Sequence, residues 1–447
     1  MSKLKYIKSF KVRLLPTKEQ EETLLRTAGG CRLIWNTYLE FQIMNYKGHK
    51  ITISKKDIVD TSKLFFKLLQ YMKKNVEDYK WITMMSLHSI NGIMRDMHKA
   101  YDKFFEIQGI TAVYTPKVLR KCKKLNRLPY KHERKGHPQF KSKITSEVSI
   151  PYDKEEVYFK KDDNDEYLVQ IPKIGKIKVQ TNQEFPEGMS KNAKNCIHYI
   201  MNPRVKFIHN KWLLYFSMEC ESDPVNLNLN KVIGIDLGIK ELCVATHCSN
   251  NNFNNCKIYH NINNVLQRID HLERRLIRLQ RRLSKKYKLN KSYKRTKNIE
   301  KLLKQIRHIY YELHNIRINY LHHVSREILD KFPRTIVLED IDLSFMIQNH
   351  NIAKHEIKQL LGAFRQMLIY KAKELGIEVV LANRTYPSTQ ICSNCGHQQK
   401  MELNERVYKC PNCGLEIDRD INAAINLEHY GVYNYTAFVL NNKNKAG

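Results

Sequence analysis

Four cysteines and three carboxylates stand at spacings that suit metal chemistry. Cys392-x2-Cys395 and Cys410-x2-Cys413 are separated by 14 residues, and a glycine follows each pair. Glycine lets the backbone turn tightly enough for amide groups to approach thiolate sulfurs. Four soft thiolates in a closed tetrahedral set select zinc and leave no open coordination position, so a structural ion is expected here. It would hold a ribbon too small to have its own core. His397 lies close by, but four cysteines already complete the sphere, so it is expected at the surface or facing nucleic acid.

The carboxylates are Asp236 in GIDLG, Glu339 at the end of TIVLE, and Asp420 just before INAAIN. An ionised carboxylate inside an apolar strand is costly unless it is paired or binds a cation. Ala423 and Ala424 would let the helix after Asp420 pack closely on a sheet. Each acid alone reads as a cap or surface group, as do Asp340, Asp342 and Asp418 beside them. Together, in the order hairpin, strand, helix, strand, they match an RNase H-like nuclease core. Hard oxygen ligands suit Mg²⁺ or Mn²⁺, and two such ions can clamp the attacking and leaving oxygens of a phosphodiester. Asp236 is expected to bridge the ions, with Glu339 and Asp420 flanking.

Composition points to the substrate class. The 447 residues carry a formal net charge of +32, from 77 Lys+Arg against 45 Asp+Glu. Such a charge repels itself unless a polyanion is bound, which makes nucleic acid the expected partner. Arginines cluster in RRLIRLQRR, where Arg274, Arg275, Arg278, Arg281 and Arg282 are candidate backbone contacts. The alternative for these is a solvated helical face. There is no secretory signal pattern and no 18-residue apolar run, so neither export nor a membrane partner is expected. Cys31, Cys122, Cys196, Cys220, Cys243, Cys248 and Cys256 lack framework spacing, which fits a reducing compartment.

The elements that must position these residues follow from periodicity. Residues 5–15 alternate as a strand, Pro16 stops it, and Thr17 with Gln20 forms a capping-box pattern opening helices that run, interrupted, to about 110. Residues 115–145 are basic and broken by proline and glycine, with Tyr130 and Phe140 interleaved. Short β-like runs from 148 to 220 suggest a small barrel completed by the N-terminal strand, and 224–230 reads as a linker. KVIGIDLGIKELCVAT reads as a β-hairpin, KIYH as a third strand, and 263–330 as a helical hairpin broken near LNKSYKR. TIVLED is a strand, Leu361 to Leu375 an amphipathic helix ended by Gly376, and IEVVLAN a final strand. The tail after 430 is expected to fray.

GIDLGIK, VLED, the paired CxxCG knuckles and DRDINAAIN, in this order, resemble the transposon-encoded TnpB (OrfB) proteins and, more distantly, compact type V CRISPR effectors. FKVRLLPTKEQEETL, GGCRLIWN and GHPQFKS extend the resemblance over about 5 to 430. Tyr386 departs modestly, replacing the family's usual Phe before Pro-Ser. The resemblance implies a multidomain α+β chain. An N-terminal wedge β-barrel (1–16 and 131–223) would carry a helical recognition insertion (17–130). A RuvC-like, RNase H-like α/β nuclease domain (231–390 and 416–430) would be interrupted by a zinc ribbon (391–415), with a disordered tail at 431–447. The family's catalytic Asp, Glu and Asp fall on Asp236, Glu339 and Asp420. The implied activity is RNA-guided DNA endonuclease cleavage beside a short protein-read motif, with Mg²⁺ (or Mn²⁺), structural Zn²⁺ and a guide RNA from the transposon end. The implied partner is double-stranded target DNA, the expected state a monomer with RNA, and the expected location the cytoplasm near the nucleoid. A DNA-joining transposase and a catalytically silent RNA-guided DNA-binding regulator are the alternatives.

Overall fold

The computed structural model describes residues 3–48, 55–108, 120, 122–123, 136–142, 148–154, 156–181, 185, 200–238, 240–246, 256–262, 267–289, 296–340, 360–402 and 405–443. Two compact units result: Ile7–Cys220, and Glu221–Gly447 joined by Met1–Tyr6. Most of the basic 115–145 segment, with Tyr130, lies outside the described residues, as does Asp342.

The first unit is built on β1 (Leu4–Leu15), whose residues alternate between its two faces and bury Val12 and Leu14. Helices α1 (Lys18–Gly48), α2 (Lys55–Asn75) and α3 (Leu87–Gln108) follow. The capping box forms: the Thr17 amide donates to Gln20 Oε1 at 3.1 Å and the Gln20 amide to Thr17 Oγ1 at 3.3 Å. Six further strands are β2 (Val148–Pro151), β3 (Tyr158–Lys161), β4 (Tyr167–Ile171), β5 (Gly175–Gln180), β6 (Met201–Ile208) and β7 (Lys211–Ser222). The expected small barrel is here a seven-stranded sheet in the order β2-β6-β7-β1-β5-β4-β3, with β2 and β3 at its edges. Phe10 stacks on Phe216 at 5.3 Å and Phe159 on Phe185 at 4.8 Å within one continuous core that includes Tyr38, Phe65 and Met97 of the helices. Arg204 of β6 grips Asp96 of α3 through its two terminal guanidinium nitrogens, which donate to the two carboxylate oxygens at 2.8 and 2.5 Å, fixing helix to sheet.

The second unit holds the five-stranded sheet β10-β9-β8-β11-β12. Its strands are β8 (Asn228–Leu237), β9 (Cys243–Thr246), β10 (Cys256–Tyr259), β11 (Pro333–Glu339) and β12 (Glu378–Ala382). β10–β9 and β9–β8 are antiparallel, whereas β8–β11 and β11–β12 are parallel. The stretch 224–230, expected as a linker, already enters β8 at Asn228, because the Asn228 amide donates to the Phe332 carbonyl at 2.8 Å. Among the described residues the unit also holds the helices α4 (Gln267–Leu289), α5 (Lys297–Leu329), α6 (Leu361–Leu375) and α7 (Arg419–Lys443). Gly376 ends α6 at φ 75°, the left-handed position a β-carbon disfavours. α7 continues past 430, where fraying is the expectation, because Gly431 still packs on Val232 and Val337.

Period-two alternation divides this sheet. Ile233, Ile235 and Leu237 of β8 with Ile336 and Leu338 of β11 pack against Leu321, Val324 and Ile328 of α5 and Phe364 and Leu368 of α6. Val232 and Val337 point the other way, to Leu427 of α7. A sheet covered on both faces explains why its central strands read as unbroken apolar runs. Asp236 and Glu339 share the α7 face with Val232 and Val337.

Candidate functional site

Asp236 sits two residues beyond Gly234 on β8, and Glu339 follows Leu338, the register partner of Ile235. The two acids are therefore neighbours across the parallel β8–β11 pair. α7 runs opposite to β8, with Gly431 against Val232 and Ala424 against Gly234, so Asp420, one helical turn before Ala424, arrives beside Asp236. The charges of both Glu339 and Asp420 act on Asp236. The sequence-predicted carboxylates are thus brought to one face of one sheet. Their oxygens do not close to a single point: among the described residues only the cysteine quartet gathers three or more ligand atoms within 4.8 Å.

Each acid has its own surroundings. Asp236 is 7% exposed, and burial followed by the charges of Glu339 and Asp420 pushes its carboxyl well above the ordinary range. Burial also raises Glu339, opposed by a hydrogen bond from the Ser388 hydroxyl. Asp420 lies 3.5 Å from Arg419 Nε and 3.7 Å from Arg406 Nη1. Asp418 is the helix cap, its Oδ1 accepting from the amides of Asp420 at 2.9 Å and Ile421 at 3.2 Å. Asp340 is engaged elsewhere: Arg384 and Arg365, each at 2.8 Å, hold its carboxyl below the ordinary range. These separate roles distinguish Asp236, Glu339 and Asp420 from the acids beside them. One buried and two half-buried acids whose charges act on one another, with hard oxygen donors, fit a divalent cation such as Mg²⁺ or Mn²⁺.

The cysteine site is built from two equivalent turns. Gly396 and Gly414 both have φ 75°, and their amides donate to the carbonyls of Cys392 at 2.9 Å and Cys410 at 3.0 Å. The sulfurs of Cys392 and Cys413 lie 3.6 Å apart and those of Cys395 and Cys410 3.5 Å. Tetrahedral zinc with Zn–S near 2.3 Å requires sulfurs about 3.8 Å apart, so the donor set fits the ion. Asn412 Nδ2 donates to Cys395 Sγ at 3.5 Å, and with the His397 amide pulls that thiol down to about 6. Strands β13 (Val407–Lys409) and β14 (Glu416–Asp418) and a buried Tyr408 complete a very small core. The His397 carbonyl accepts from the Cys392 amide at 2.8 Å and from Tyr408 at 3.1 Å.

Sequence reasoning missed the residues that join the two sites. Asn422 and Asn426 of α7 are buried, and both donate to the Ile391 carbonyl at 2.7 Å. Asn426 also donates to the Ser388 carbonyl at 2.7 Å, and Asn422 Oδ1 accepts the Ser393 amide at 3.0 Å. Their signal was present in DRDINAAIN, where two asparagines at i and i+4 share the face of a helix that otherwise buries alanine.

The predicted arginines Arg274, Arg275, Arg278, Arg281 and Arg282 are all exposed on α4, opposite buried Ile269, Leu272, Leu276 and Leu279. No helix among the described residues is long and apolar enough to cross a membrane.

A four-cysteine ribbon tied to an acid-lined α/β sheet defines a class of protein, and comparison with known families sharpens it. Family models match at residues 1–50 ("Helix-turn-helix domain", of OrfB), 215–350 ("Probable transposase", OrfB) and 362–427 ("Cas12f1-like, TNB domain"). Over 1–50 the structure describes one strand and one helix. A protein of Streptomyces pristinaespiralis named "Putative RNA-guided DNA endonuclease" is 24% identical, over 94% of this chain and 88% of its own length. A protein of Escherichia coli (strain K12) with the same designation is 23% identical, over 95% and 92%. The chain in a Cas12f1-sgRNA-target DNA complex aligns at a TM-score of 0.49 and 15% identity, over 95% of this chain and 99% of that one. Two of these models describe OrfB proteins, and the relatives matched over nearly the whole chain carry RNA-guided endonuclease names, so this chain is similar to OrfB (TnpB) proteins along most of its length.

Proposed function

We propose that this chain is an RNA-guided DNA endonuclease that cuts target DNA beside a short protein-read motif, by metal-dependent phosphodiester hydrolysis at one RuvC-like site. The observation that carries the reading is the convergence of Asp236, Glu339 and Asp420 on the α7 face of the β10-β9-β8-β11-β12 sheet. That strand order, two antiparallel pairs followed by two parallel ones, supports an RNase H-like core. The names of the full-length relatives support the RNA-guided activity. In this reading the Ile7–Cys220 unit contains the wedge and recognition regions, and the ribbon interrupts the nuclease domain.

Mg²⁺ or Mn²⁺ ions, when bound, would supply Lewis-acid stabilisation of the phosphoryl charge and an activated water nucleophile. Asp236, between the other two acids, would hold the ions in common, and Glu339 and Asp420 would each hold one side. Arg406 and Arg419 are placed to neutralise Asp420 until a cation replaces them. Cys392, Cys395, Cys410 and Cys413 would hold zinc as a structural ion. The α4 arginines would follow phosphate backbones, while pairing with a transposon-end RNA reads the target sequence.

The same carboxylates could serve a strand-transferring transposase, the activity named by one family model. The test is to purify the full chain with its RNA, sequence that RNA, and present duplex DNA carrying its complement. Guide-dependent double-strand cutting is expected. Strand transfer without RNA, or guided binding without cutting, would overturn the proposal.

A further inference from the structure

Ser388 lies in the turn between β12 and the first cysteine pair and is 3% exposed. Its hydroxyl donates to Glu339 Oε1, and its own carbonyl accepts from Asn426 Nδ2 at 2.7 Å. Three residues on, the Ile391 carbonyl receives both Asn422 and Asn426. The short run from Ser388 to Ile391 therefore touches Glu339 at one end and is fastened to the helix bearing Asp420 along its length. It continues directly into Cys392.

We infer that Ser388 is a positioning residue for Glu339, fixing that carboxylate relative to Asp420 through the Asn426 clamp on α7. The inference rests on the nuclease reading above, which places Glu339 among the metal ligands. A carboxylate on the last residue of a strand has free side-chain torsions, and in a metal site its orientation is set by groups that hydrogen-bond to it. A hydroxyl offers one donor, so it can fix one carboxylate oxygen and leave the other for a cation. Ser388 makes this bond to Glu339 from a buried position. Asn426 prevents Ser388 from moving independently of α7, so two acids carried on separate elements share one reference point.

The test measures Mn²⁺ binding by electron paramagnetic resonance on the full chain with its co-purified RNA, which needs no turnover. Zinc content is checked in parallel. Ser388→Ala should bind Mn²⁺ about tenfold more weakly with zinc retained, the usual scale for losing a group that orients a ligand. Ser388→Thr, which keeps the hydroxyl, should stay within about threefold of the parent. Unchanged Mn²⁺ affinity in Ser388→Ala, or equal weakening by Ala and Thr, would overturn the inference alone. Equal Mn²⁺ binding by the parent and Glu339→Gln would remove the carboxylate site itself, and both readings with it.

Discussion

A β-carbon added to Gly234 would lie 2.0 Å from the carbonyl oxygen of Ala424 and 2.5 Å from the Glu428 amide nitrogen. The backbone of α7 thus rests directly on β8, and this close approach is what brings Asp420 down to Asp236. Both clashing atoms are backbone and cannot rotate away. Gly234→Ala should cost about 3 kcal/mol or more, lowering the melting temperature by several degrees and abolishing cleavage. A melt matching the parent's would contradict the packing described.

Zinc removal should reach the carboxylates. The ribbon's core is little more than Tyr408 and two cysteines, so a zinc ion held by the four cysteines would supply its folding energy. Without it, the segment ending at Cys392 loses one anchor and the clamps of Asn422 and Asn426 loosen. Chelation followed by return of Mg²⁺ alone should leave cleavage below about a tenth of the starting rate, and adding Zn²⁺ should restore it. Full activity at zero zinc content would separate the two sites.

Glu428, two turns after Asp420, is buried beside Thr246 and Lys231, and burial raises its carboxyl to about 7 from an ordinary 4.5. The folded state therefore keeps this proton over a range where the unfolded chain has lost it. Stability from this group is complete below about 4.5 and falls as pH rises from there through about 7. Glu428→Gln should remove that fall, gaining on the order of 3 kcal/mol at pH 8 and little at pH 4.5. Parallel denaturation profiles across pH for variant and parent would contradict it.

Neutralising Arg274, Arg275, Arg278, Arg281 and Arg282 should weaken nucleic-acid binding across sequences alike. The slope of log affinity against log salt should flatten by about 0.9 for each phosphate no longer neutralised. An unchanged slope would leave α4 as a solvated face.

The strand-rich frame of the second unit was legible because its signals are local. GIDLG and TIVLE are apolar runs that tolerate an acid only for a reason, and Gly376 marks a helix end by its own conformational freedom. The cysteine spacing likewise carries its geometry within it. Ser388, Asn422 and Asn426 were not legible, because their partners are backbone carbonyls and a carboxylate contributed by other elements. A small polar residue reads alike whether it clamps a buried carbonyl or faces water. The start of β8 at Asn228 was hidden for a similar reason: its pairing is with Phe332 and Pro333, about a hundred residues away.

The most direct measurement is guide-dependent cleavage of duplex DNA by the RNA-bound chain, comparing the parent with Asp236→Ala, with guided DNA binding followed alongside. The account predicts binding within about threefold of the parent and cleavage reduced by about a thousandfold or more, since Asp236 would hold the ions in common. Cleavage by Asp236→Ala at the parent's rate would contradict it.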